Sequence, residues 1–211
     1  MIIKRSSKYN DRGELWHDGR PVQISRVFGG LGFPRFAVLL GEERFFHETH
    51  YFVLAEAETE QRGRRDSGGG TAESLIDLFD IARRFQAEYP VLRWFGWLDV
   101  NVKETLATCN KQSYSSGVRN LIVMDTPRIG EYIDNQVSLV HMLVRPVAKR
   151  LHFFNESMIT GELFSLPQVD IKADQYHKVT ALSNAVAGML RYSGEQGQRP
   201  IDPNPEPENW F

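Results

Sequence analysis

The sequence predicts a mixed α/β fold, with a central sheet built from an antiparallel meander plus parallel strands and with helices flanking it. Three observations carry this. Between Pro21 and Glu58, three runs rich in β-branched and aromatic residues follow one another with only short breaks. After residue 70 the apolar period becomes helical. From there, helical patterns alternate with short, almost wholly apolar runs, as expected of strands buried on both faces.

The chain has 211 residues, 41% of them hydrophobic and 11% aromatic, which is enough for one large domain with a real core. Its longest apolar runs are far too short to cross a membrane, and no signal-peptide pattern opens it. A single cysteine, Cys109, excludes an internal disulfide framework. These features predict a soluble protein of the cytoplasm. A formal net charge of −2 argues against coating nucleic acid by bulk charge, although a local basic strip still binds phosphates.

Element by element, residues 1–20 (MIIKRSSKYNDRGELWHDGR) are polar, lack a sustained period, and read as an N-terminal arm. The domain proper is expected over 21–193. VQISRVF, RFAVLL and RFFHETHYFVLAEAE form the meander, broken by Gly-Pro and by Gly-Glu-Glu. QRGRRDSGGG at 61–70 is a charged, glycine-rich connection. In TAESLIDLFDIARRFQAEYP, Leu75, Leu78, Phe79, Ala82 and Phe85 recur at helical spacing, with Thr71 as N-cap and Pro90 as stop.

RWFGWLDV is a buried strand ending in Asp99. A short helix (KETLATCNKQ), a strand (NLIVMD), a helix (IGEYIDNQVSLVHMLVR) and a short strand (RLHFF) come next. A last helix spans about 174–192, with Val179, Leu182, Ala185, Val186, Met189 and Leu190 on its apolar side. The tail at 194–211 has four prolines and no core pattern.

Most chemical motifs fail on spacing. HETH at 47–50 lies in a strand pattern, where His47 and His50 point to opposite faces, and it lacks the H-E-x-x-H helical spacing. GGG at 68–70 has no Lys-Ser/Thr after it, so it is no phosphate loop. No G-x-S-x-G elbow exists, and Cys109 has no evident base. Asp99 is different, because a carboxylate at the C-terminal end of a buried strand stands where α/β sheets place ligands. The same position also suits a helix cap. Asp125 ends the next strand and reads as a turn or cap.

The order of these elements resembles the nuclease domain of tailed-phage terminase large subunits, a ribonuclease H-like fold. VFGGLGFPRFAVLL is similar to that family's first strand and turn, and WLDV to its acid-bearing strand. NQVSLVHMLVRPVAKRLHFFNESMITGELFSLP is similar to its helix, strand and Glu-Leu segment. DQYHKVTALSNAVAGML resembles its closing helix. The match covers about residues 20–192.

The resemblance implies a nuclease that holds two divalent ions about 4 Å apart between converging carboxylates, with Mg²⁺ or Mn²⁺ as cofactor and DNA as substrate. Of the family's three acidic positions, Asp99 keeps the second. Gly30 stands where the first strand supplies Asp. The closing helix opens with Tyr176-His177-Lys178-Val179-Thr180-Ala181, with tyrosine and threonine in the acidic places. The expectation is therefore a nuclease-like domain whose metal site has been emptied, serving DNA binding or packaging assembly beside a separate ATPase or portal.

The alternative is an active metal-dependent endonuclease with Asp99, Asp174 and Glu43 as catalytic acids, Asp99 and Asp174 holding metal, and Glu42 as another hairpin option. A third reading is an interaction protein docking through its proline-rich tail. The expected DNA contacts are Arg62, Arg64, Arg65, Lys149 and Arg150.

Overall fold

A computed structural model of the protein describes residues 1–6, 15–60, 72–117, 121–125, 144, 147–164 and 176–192. Its elements, in chain order, are β1 (Ile2–Arg5), β2 (Trp16–His17), β3 (Arg20–Pro21), β4 (Arg26–Gly32), β5 (Phe36–Phe45), β6 (Glu48–Glu58), α1 (Ala72–Glu88), β7 (Val91–Phe95), α2 (Val100–Ser115), β8 (Met124–Asp125), β9 (Leu151–His152), α3 (Met158–Phe164) and α4 (His177–Tyr192). The main sheet runs β1-β6-β5-β4-β7-β8, with β9 pairing β6 beyond the end of β1. β4, β5 and β6 form the antiparallel meander, while β7 is parallel to β4 and β8 is parallel to β7. The mixed sheet with flanking helices is the predicted fold class.

The central strands read as continuous apolar runs because both faces are covered. One face packs Val27, Leu31, Leu39 and Trp94 against Leu78, Phe79 and Phe85 of α1. The other packs Phe28, Phe36, Val38 and Phe95 against Leu182, Ala185 and Met189 of α4. Leu75, Leu78, Phe79, Ala82 and Phe85 are all buried, as the helical spacing requires. No helix among the described residues is long and apolar enough to cross a membrane.

Three local expectations are corrected. The first residues are not a free arm, since β1 adds an edge strand to β6, and β2–β3 is a hairpin closed by Asp18 and Gly19 with φ of 49° and 75°. The polarity of β1 reflects its edge position. The glycines of RVFGGLG lie within β4 rather than in a turn. Gly41-Glu42-Glu43 does not break the meander either, because β5 continues to Phe45 and the turn falls at Phe46–His47. Residues 61–71, the helix expected at 129–145 and the tail from 194 lie outside the described residues, apart from Val144, which is buried.

Candidate functional site

In a sheet of this topology, ligands gather beyond the carboxyl ends of the parallel strands. Here that place is the end of β4 and β7. Asp99 lies just past β7, exposed, and serves as N-cap of α2, its carboxylate accepting the Val102 N–H at 2.8 Å. Such a cap satisfies one of the orphan donors of the helix.

The seam between β4 and α4 is closely packed near the carboxyl end of β4. Gly30 and Gly32 point at α4. A Cβ on Gly30 would fall within 3.0 Å of the Ala181 carbonyl oxygen, and one on Gly32 within 3.0 Å of the His177 carbonyl oxygen. Gly188 gives the same close approach to the Phe95 ring. The buried Asn184 side chain donates to the Leu31 carbonyl at 2.9 Å, tying the helix to the strand. The backbone of the first turns of α4 thus occupies the volume that a carboxylate would need.

Several polar groups here are engaged with the protein. Thr180 donates its hydroxyl to the Tyr176 carbonyl at 2.7 Å. Glu162 of α3 accepts the Val179 N–H at 2.7 Å, capping α4 from outside, and burial raises its pKa. Glu58 pairs with Lys178 at 3.4 Å, and Asp125 with Arg93 at 2.6 Å. Among the described residues, no group of three or more His, Cys, Asp or Glu could hold a metal ion. The described residues therefore do not fit a two-metal centre.

Glu43 is not brought to Asp99. Glu42 pairs with Arg26, so Glu43 lies level with the amino end of β4, whereas Gly30 pairs with Phe95 near the carboxyl end. Five residues of strand separate those levels, about 16 Å, and Asp99 lies further on. Glu43 is 2% exposed and bound by Arg20 through two 2.7 Å bonds, with the Gln23 N–H adding a third at 2.8 Å. Burial pushes its pKa up, yet these donors outweigh burial and hold it below the ordinary carboxylate value.

Lys149 and Arg150 lie in a short 3₁₀ turn before β9, with the Arg150 guanidinium 6.0 Å from the Tyr51 ring centre. Tyr51 pairs with Glu42, so both cations belong to the same end of the sheet as Glu43. Asp174, Arg62, Arg64 and Arg65 lie outside the described residues.

Sequence reasoning missed the buried acid of β6. Glu56 is fully buried, accepting from the Ser157 hydroxyl and from the Met158 N–H at 2.6 Å, and burial raises its pKa. The signal was the Ala-Glu-Ala-Glu alternation at 55–58, which puts Glu56 and Glu58 on one face.

No protein-family model matches the chain, and no curated protein matches it. Among solved structures it is similar to a yeast mitochondrial Holliday junction resolvase, Ydc2. The identity is 11% and the TM-score 0.40, over 84% of this chain and 87% of that one.

Proposed function

We propose that this chain is a terminase nuclease-like domain of phage or prophage origin that has lost catalysis and contributes DNA contacts or assembly surface to a packaging apparatus. The observation that carries the reading is the seam of Gly30 and Gly32 against the α4 backbone. An emptied site could keep its cavity. This one is packed shut, so restoring an acid there would require the helix to move.

Two bound divalent ions need several anionic oxygens to offset their dehydration. Among the described residues no group of three or more ligand side chains could hold them, and Asp99 already caps α2. What the domain retains is a rigid sheet with cations and aromatics at the hairpin end. The test is incubation of plasmid DNA with excess protein and Mn²⁺ or Mg²⁺, beside a binding assay on the same DNA. The expected result is binding without cleavage by wild type and Asp99→Ala alike. Cleavage by wild type that vanishes in Asp99→Ala would overturn the reading.

A further inference from the structure

We propose that the tip of the β5–β6 hairpin is a stacking platform for an unpaired nucleobase, an inference that rests on the DNA-binding part of the reading above. Phe46 is 87% exposed, more than any other large hydrophobic residue described. It also has a φ of 55°. Two-residue hairpin loops reserve such positions for glycine, asparagine or aspartate. The β2–β3 hairpin of this same chain uses that ordinary solution, Asp18–Gly19. At residue 46 the chain keeps a phenylalanine against both solvent and backbone preference, which marks the position as one with a use.

The tip is built outward from the core. Glu43, buried, holds Arg20 through two bonds. The Arg20 guanidinium lies 3.6 Å from the centre of the Phe45 ring. Phe45 in turn meets Phe46 edge-on, with centroids 4.5 Å apart and planes at 75°. A buried carboxylate, a guanidinium, a supporting ring and an exposed ring form one stack. The result is a convex, supported aromatic surface, suited to another flat π face rather than to an aliphatic side chain.

The surroundings choose the ligand. Arg44, two residues from Phe46, has a side chain 56% exposed while its Nε pairs with the buried Glu42 at 3.1 Å. Lys149 and Arg150 belong to the same end of the sheet. Glu48, beside the turn, is the acidic exception. An exposed aromatic ring at the tip, with cations set back along the same end of the sheet, has the parts of a single-strand binding surface, where phosphates meet the charges and a base meets the ring. Paired bases hide their faces, so the ligand is a single strand or an unpaired nucleotide.

The test uses the full chain and a fluorescein-labelled oligothymidylate, read by anisotropy beside a duplex of equal length. Phe46→Gly should weaken single-strand binding roughly tenfold or more, leave duplex binding unchanged, and not lower the melting temperature. Phe46→Trp should retain the affinity. Equal single-strand affinity in wild type and Phe46→Gly would overturn the platform while leaving DNA binding standing. Self-association that Phe46→Gly abolishes, with DNA affinity unchanged, would reassign the tip to a protein contact and also overturn it. Wild type that binds neither strand form would defeat the DNA reading itself.

Discussion

Gly30 of β4 and Ala181 of α4 approach so closely that a Cβ at position 30 would fall within 3.0 Å of the Ala181 carbonyl oxygen. The clash would be with backbone in a packed helix, which cannot swing aside as a side-chain end can. Gly30→Ala should therefore destabilise the fold by about 3 kcal/mol, read as a lower urea midpoint with unchanged slope. Gly161, inside α3, has nothing within 4 Å of its would-be Cβ. Gly161→Ala should instead stabilise, by about 0.5–1 kcal/mol. Opposite signs at two glycines would separate packing from helix propensity.

Asp99 acts as a helix cap. Asp99→Ala should cost about 1 kcal/mol of stability and Asp99→Asn only a few tenths, since asparagine caps as well. Thermal melts of the three proteins check this. A metal ligand would behave differently, because asparagine would then fail as badly as alanine in any Mn²⁺-dependent readout.

Glu56 should make the protein less stable as pH rises. Burial raises its folded pKa above the ordinary 4.5, so the folded chain binds its proton more tightly than the unfolded chain does. Its contribution is full below 4.5 and is lost as pH climbs through the raised folded value. Glu162, raised by burial as well, acts in the same direction. Glu56→Gln keeps one acceptor, for the Met158 N–H, while its amide N–H can donate to the Ser157 hydroxyl oxygen, and it should flatten this fall in urea-unfolding stability measured across that range.

Glu43 has the opposite sign. Its folded pKa is held below 4.5, so its stabilisation is present above 4.5 and is lost as pH falls through the lower folded value. Arg20→Ala would leave the buried carboxylate without its cation and should cost on the order of 2 kcal/mol at neutral pH. Paired with Glu43→Gln in a double-mutant cycle, the two changes should be strongly non-additive. Additive losses would mean that the pair is not coupled.

What could be read from the sequence followed physical rules of short range. Leu75, Leu78, Phe79, Ala82 and Phe85 announced α1 because a helix repeats every three to four residues. Asp18–Gly19 was an equally plain hairpin signal, hidden only because its strands are two residues long. Phe46–His47 gave no such signal, since phenylalanine is not a turn residue there.

The three glycines of β4 suggested a corner, because glycine commonly marks turns. Their reason is long-range: Trp94 lies against Gly29, and α4 against Gly30 and Gly32. Likewise Glu42 and Glu43 resembled a polar break, yet Arg26 and Arg20 pair with them within the fold. Asp99 was expected to end a buried strand, but β7 stops at Phe95 and Asp99 stands exposed at the start of α2, so the helix-cap option is the one realised. Which side chains come to stand near it depends on register and helix packing, which no local pattern encodes.

The most direct test of the closed seam is titration of the full chain with Mn²⁺ by isothermal calorimetry, followed by anomalous diffraction from Mn²⁺-soaked crystals around Asp99. The account predicts no saturable heat at millimolar metal and no anomalous peak between Asp99, Gly30 and Thr180. Paired manganese peaks there, coordinated by neighbouring carboxylates, would contradict it.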